Sequence, residues 1–436
     1  MLARSRAISV AALIVLIGCV FAQAAFFPLV CWDDHLHVDA PLSWLTRQYG
    51  YPIPLSVASY ALLGRGALAA HAWNVGFHGA VVLLVYALSQ RLERGWWPAL
   101  LFAFHPAVAE PVAWATGRKD LLAAIVLVGV LVMHIRRPRP ILTACLYVVA
   151  LACKPSALPL PAILWLYDRL LAPERKSNWL FALLPIALVD MYITAAGVHA
   201  IGALPAEPPP LWLRVPMTAA LESRHLFAPV GLLPRYMPLS SPVPWLSVIA
   251  GTAALIALVA APILLRRRAP VAAFALSFAL LTYLPAADLL HRTRSVSDSY
   301  LYLPLIGFCL LFGSPKVPRW APALLVAAYL PLCYLQVRLW RSNATLFQPV
   351  LDAYPDSPTA YKQLGDSLVC DGKPADAVPI YESVERRFAG NTLACGNLGL
   401  AYAQLGDLTR AEAAFQRGAA GGDAKAAAHL ARLHAK

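Results

Sequence analysis

Two adjacent carboxylates, Asp33 and Asp34, follow the first long apolar run of the chain in "CWDDHLHVD" (31–39). A carboxylate held where an apolar span meets water can take a proton from an incoming hydroxyl. Cations recur at comparable positions further along. Arg118 and Lys119 stand in "HPAVAEPVAWATGRKD" (105–120), Lys154 in "CKPS" (153–156), and Arg292 and Arg294 in "HRTRSVSDSYLYLP" (291–304). Arg and Lys can neutralise a departing phosphate. Together the two sets suit attack by a neutral hydroxyl on an anionic, lipid-linked substrate.

The elements that must position these residues are apolar helices. Of 436 residues, 59% are hydrophobic and 14% charged, which excludes a soluble globular protein. Windows of about 20 apolar residues recur along the chain, each long enough to cross a bilayer. Eleven spans are expected, near 8–30, 72–90, 96–115, 119–135, 140–154, 157–172, 178–200, 244–265, 270–287, 298–313 and 319–338. The N-terminal run exceeds the ~7–15 residues of a signal-peptide core and reads as an uncleaved anchor. Residues 209–233, Pro-rich and interrupted by Glu222, Arg224 and His225, read as a juxtamembrane or re-entrant segment.

Basic clusters set the orientation. Arg4 and Arg6 precede the first span, and "RLERG", "IRRPRP" (135–140), "PERK", "RRR" and "PKVPR" mark later loops on the same side. By the positive-inside tendency that side is cytoplasmic, so "CWDDHLHVD" and the C-terminal region lie outside. The net charge of +13 follows from these loops, because past Leu351 nine basic residues face ten acidic ones. Nucleic acid is not called for. Trp96, Trp97, Trp179 and Trp320 suit an interfacial belt, and Asp168, Arg169 and Lys176 read as anchors at a cytoplasmic helix end. His105 and Glu110 sit in an apolar segment, where an ionisable group is either functional or paired within the bundle. His35 and His37 with Asp39 could hold a metal, but interfacial histidines more often form hydrogen bonds, and no metal is assigned.

Past Trp340 the chain becomes a soluble repeat. Leu364-Gly365 and Leu398-Gly399 lie 34 residues apart, as do Ala377 and Ala411, and Tyr381 and Phe415. This is the tetratricopeptide period. Residues 1–340 are therefore expected to form the membrane domain, and 341–436 a repeat domain. Repeats are placed near 358–391 and 392–425, with a capping helix over 425–436. Two repeats fall short of the three usually needed for independent stability, so support from the membrane domain is expected. Cys370 and Cys395 could pair if this region is extracytoplasmic; the other cysteines read as small apolar residues, with Cys31 bordering the first external segment.

At these residues the chain resembles a family. "FHPAVAEPVAWATGRKDLL", "HAWNVGFHGAVVLLVYAL" (71–88), "CWDDHL" and "SDSYLYLPLIGF" are similar, in order, to motifs of the transmembrane-and-tetratricopeptide-repeat protein O-mannosyltransferases and their bacterial relatives. The resemblance implies an all-α, polytopic GT-C helix bundle with an extracytoplasmic cavity. It implies inverting transfer of one sugar from a polyprenyl phosphate, of undecaprenyl or dolichyl type, to a hydroxyl of a protein acceptor held by the repeats. Asp33 or Asp34 corresponds to the general base, with a small preference for Asp34. Arg118 and Lys119 correspond to the basic pair near the lipid phosphate, and His35, His105, Glu110, Asp120, Lys154, Asp298 and Tyr300 stand in supporting places. No cofactor is implied. Ser299 replaces the family's Arg, with Arg292 and Arg294 nearby to supply charge, and "YPIPLS" (51–56) replaces a basic motif. Residue usage leans bacterial, hence an inner membrane with periplasmic repeats. The competing expectations are a transferase acting on a surface glycan or lipid, a scaffold whose site has decayed, and, more weakly, a transporter.

Overall fold

A chain can cross hydrocarbon only if its backbone groups are satisfied within the protein, which here selects helices. The computed structural model describes residues 2–39, 52–200, 210–236, 244–287, 289, 294, 296–388 and 391–435, with the backbone alone at 2–9 and 198–200. Among the described residues there is no strand. The chain divides into two units. One comprises Met1–Leu29, Asp34–Leu232 and Leu239–Arg338; the other comprises Val30–Asp33, Leu233–Pro238 and Leu339–Lys436.

The first unit is a bundle of apolar helices and belongs to a membrane protein. Four helices among the described residues are long and apolar enough to span: Ala67–Arg91, Asn178–Gly197, Trp245–Leu265 and Trp320–Arg341. Shorter apolar helices include Val10–Phe26, Pro140–Cys153 and Pro270–Ala286. Among the described residues these four fall on four of the eleven expected spans as unbroken helices, and two other expected spans are interrupted for local reasons. The expected 96–115 span breaks after Trp97–Phe104, because His105 precedes Pro106 and takes an extended conformation, with ψ 128°. The 298–313 span opens as a 3-10 turn, Asp298–Leu301, before Tyr302–Leu311. Residues 211–227 form one helix, and it crosses Trp245–Leu265 closely. A Cβ on Gly251 would lie 1.7 Å from the Pro216 carbonyl oxygen, so only glycine permits that approach.

Asp168, expected as an anchor at a cytoplasmic helix end, is drawn into the protein. It is buried, with its carboxylate 2.9 Å from His134 Nε2, and it accepts from Ser177 Oγ at 2.7 Å.

The second unit packs Pro358–Cys370, Pro374–Arg387, Cys395–Gln404, Leu408–Ala420 and Ala424–His434 as successive antiparallel helices. Their 34-residue spacing has a direct cause. Gly365 faces the Tyr381 ring and Gly399 the Phe415 ring, each so near that a Cβ would sit 2.4 and 2.6 Å from ring carbon. The buried Tyr381 donates to Asp366 at 2.7 Å, and burial beside that carboxylate raises its pKa. A further helix, Asn343–Ala353, enlarges the small repeat core.

Cys370 pairs with Cys31, not with Cys395. The bridge ties Val30–Asp33 to the first repeat helix, and Asn343 Oδ1 accepts from the Cys31 amide at 2.7 Å. Cys395 instead donates to Glu385 at 3.2 Å, and burial, then that carboxylate, push its thiol up to about 11. Replacing Cys370 by Ser should cost the repeat unit about 2–4 kcal/mol, measured by hydrogen exchange on amides 358–434 of the full chain. Unchanged exchange would show the bridge to be idle.

Candidate functional site

The site is built on a buried segment that is barely helical. Every residue from 101 to 120 is buried, yet 106–117 consist of short turns: Pro106–Val108, Ala109–Ala113 and Ala115–Gly117. Trp114, extended at ψ 122°, interrupts them. Carbonyls freed by these breaks must find partners inside the protein. Asn74, on the Ala67–Arg91 helix, donates Nδ2 to the Trp114 and Ala115 carbonyls at 2.9 and 3.1 Å. Tyr60 Oη donates to the Ala115 carbonyl at 2.7 Å. The turn also needs Gly117, whose added Cβ would meet the Pro111 carbonyl oxygen at 2.4 Å.

Arg118 locks this arrangement. Its side chain is fully buried and donates Nε to Asn74 Oδ1 at 3.1 Å, Nη1 to Ser59 Oγ at 3.3 Å and Nη2 to the Ala70 carbonyl at 2.9 Å. The guanidinium also stacks 4.0 Å from the Tyr60 ring centroid. Its donors are thus engaged by the protein itself, unlike those of a cation that waits for a ligand.

The carboxylate and two further cations hang on the same segment. Asp34, 0% exposed, accepts at Oδ1 from Thr116 N at 2.9 Å and from Thr116 Oγ1 at 2.6 Å. Lys119 Nζ lies 4.8 Å from the Trp114 ring centroid, and the Arg294 guanidinium lies 5.6 Å from the same ring. Glu110 holds three residues near this segment: its carboxylate accepts from Arg294 at 3.0 Å, Ser297 Oγ at 2.6 Å and Asp298 N at 3.1 Å. Lys154 forms a buried ion pair with Asp120 and lies 5.6 Å from the Tyr300 ring. Tyr300 donates to the Arg294 carbonyl at 3.2 Å, and Asp298 lies 3.5 Å from His225.

Asp34, Arg118, Lys119, Arg294, Glu110, Asp120, Lys154, Asp298 and Tyr300 therefore fall into one network on residues 110–120. The remaining expected residues do not join it in the same way. His105 accepts from Ala107 N and lies 3.2 Å from the Leu226 carbonyl, so it turns the chain. His35 is exposed and contacts Asp39 at 3.3 Å. Asp33 is half-buried within Val30–Asp33 of the repeat unit. Arg292 lies outside the described residues. Sequence reasoning passed over Tyr60, Thr116 and Ser297. Thr116 stood inside a quoted motif, but nothing in sequence links it to a residue 82 positions away.

A tetratricopeptide-repeat family model matches residues 362–427. A Caenorhabditis elegans protein O-mannosyl-transferase is 24% identical over 352 residues, covering 74% of this chain and 51% of that protein. The chain is thus similar, over most of its length, to a protein named a protein O-mannosyl-transferase. A human protein of that name is 29% identical over 118 residues, 24% of this chain and 16% of its own length. One from Drosophila melanogaster is 32% identical over 133 residues, 28% and 14% of the two chains. The chain spans about half the length of the nematode relative. No solved structure matches significantly. The two sources of likeness are complementary, since the nematode alignment extends well beyond the repeats.

Replacing Arg118 by Ala should lower stability by about 3 kcal/mol, because Asn74 and the Ala70 carbonyl lose a charged donor inside the bundle. Thermal unfolding of the detergent-solubilised protein measures this. Lys119→Ala, which removes a cation that packs on the Trp114 ring, should change the melting temperature less.

Proposed function

We propose that the chain is an integral-membrane GT-C glycosyltransferase. It moves a monosaccharide from a polyprenyl phosphate to a Ser or Thr hydroxyl of an exported protein. The observation that carries this reading is the convergence of Asp34, Lys119 and Arg294 on the single buried segment 114–119. The names of the relatives supply the class of reaction; the pairing of base and cations supplies a chemistry.

In this reading the acceptor hydroxyl gives its proton to Asp34 or Asp33 and its oxygen attacks the anomeric carbon. The bond from that carbon to the phosphate oxygen breaks on the opposite face, with inversion. Thr116 fixes the Asp34 rotamer through two hydrogen bonds, so the base is oriented before substrate arrives. Lys119 and Arg294 take up the charge of the leaving phosphate. Trp114 positions both cations, and Glu110 sets Arg294. Arg118 acts through Asn74 and Tyr60 as a positioning residue, which moves the phosphate role from the Arg118–Lys119 pair to Lys119 with Arg294. The repeats hold the acceptor near the membrane and raise its local concentration. The membrane is the bacterial inner membrane, with the N-terminus cytoplasmic and the repeats periplasmic. The Cys31–Cys370 bridge suits such an oxidising compartment.

Asp34→Asn should reduce transfer by about 10²–10⁴-fold, the usual worth of a general base, while leaving the fold intact. Intact-mass spectrometry of exported proteins from cells carrying the native chain or the Asp33→Asn/Asp34→Asn double variant reads this directly. Loss of a hexose-sized increment from one or more proteins is the expected result. Masses that stay equal in the two strains would overturn the protein-acceptor reading.

Lys119→Ala and Arg294→Ala should each lower kcat, and Arg294→Ala should also lower the melting temperature, because Glu110 then keeps a buried charge without its cation. Trp114→Leu should reproduce both losses in one variant, measured with a polyprenyl-phosphate sugar and purified acceptor. Full activity in Trp114→Leu would break the link between the two cations.

A further inference from the structure

Away from this network, the far end of the Arg118–Arg136 helix carries a second cationic feature that the transfer reaction does not use. A groove of about 340 Å³ is lined by Gly129, Val132 and Met133, then by Arg136, Arg137 and Arg139. The apolar members and Arg136 follow helical spacing, 129, 132, 133 and 136, so they form one stripe running towards the helix end. Gly129 opens the stripe: a Cβ there would meet nothing within 4 Å. The three arginines are exposed, and their side chains make no hydrogen bond or ion pair among the described residues.

Arginines near a helix C-terminus commonly serve its free carbonyls. Here that task is taken by another residue. Arg175 donates to the His134 and Ile135 carbonyls, each at 2.9 Å, and the Arg137 amide closes on the Met133 carbonyl. Asp168, a buried carboxylate that meets this helix at His134, is occupied by His134, Ser177 and Arg175. The cluster Arg136, Arg137 and Arg139 thus borders an apolar slot and, among the described residues, forms no ion pair.

We propose that this groove binds an anionic phospholipid of the bilayer, with its phosphodiester on Arg136, Arg137 and Arg139 and an acyl chain along Gly129, Val132 and Met133. Basic pockets beside membrane helices at the headgroup level attract such lipids. An apolar slot leading into a triple positive charge matches an amphiphile better than a free anion. The inference is independent of the transferase reading, since no group of the 110–120 network takes part.

Native mass spectrometry of the full detergent-solubilised chain tests it, with phosphatidylglycerol and phosphatidylcholine as probes. Phosphatidylglycerol should be retained, and retention should fall at least tenfold in the triple variant R136Q/R137Q/R139Q. Gly129→Leu, which fills the slot and keeps the charges, should lose it as well; this variant decides the matter if the triple variant does not fold. Equal retention in the folded variants, or equal retention of phosphatidylcholine, would overturn the proposal. Displacement of the lipid by millimolar inorganic phosphate would also overturn it, by revealing a simple phosphate site.

Discussion

The satisfaction of backbone carbonyls on residues 106–117 is the constraint on which the membrane unit depends. Within a bundle that excludes water, an irregular segment survives only if side chains complete its hydrogen bonds. Asn74 and Tyr60 do so for Trp114 and Ala115, and Arg118 holds Asn74 in place. The irregularity then has a use. It directs Thr116 to Asp34 and leaves the Trp114 ring close to two cations, an arrangement that a continuous helix would not produce.

Burial gives the same residues unequal tasks. Arg118 and Lys119 are neighbours of the same charge, yet one is surrounded by acceptors and an aromatic face while the other rests on Trp114. A guanidinium has five donors in a rigid plane and can brace several elements at once; an ammonium on a flexible stem is better suited to meet a mobile anion. The "GRKD" motif thus joins a brace, a cation, and Asp120, which is spent on Lys154. Glu110 shows a parallel economy, as one carboxylate organises Arg294, Ser297 and the amide of Asp298.

The repeat unit solves a different problem, that of being small. Its core relies on Tyr381 and Phe415 seated on glycines, on the added Asn343–Ala353 helix, and on a disulfide to a segment 339 positions away. Cys395, which lies in the repeat that follows the one holding Cys370, donates to Glu385 instead. Proximity along the repeat was a poor guide, because successive repeat helices face their cysteines into different surroundings.

Sequence by itself determined the helical class, the membrane character, the 34-residue repeat, and the residue types that could move a sugar, since hydropathy, period and charge are local properties of a chain. It also drew attention to 105–120 as a unit. Only the tertiary structure decided that the 96–115 run is broken, that Arg118 is internal, that Arg294 reaches Trp114, and that Cys31 is the partner of Cys370. Each of these depends on which distant groups the folded chain brings together. Spacing in sequence carries no record of a contact such as Asp34 with Thr116, or Glu110 with Ser297. Those contacts are chosen by the packing of helices, through the need to pair every polar group that the packing buries.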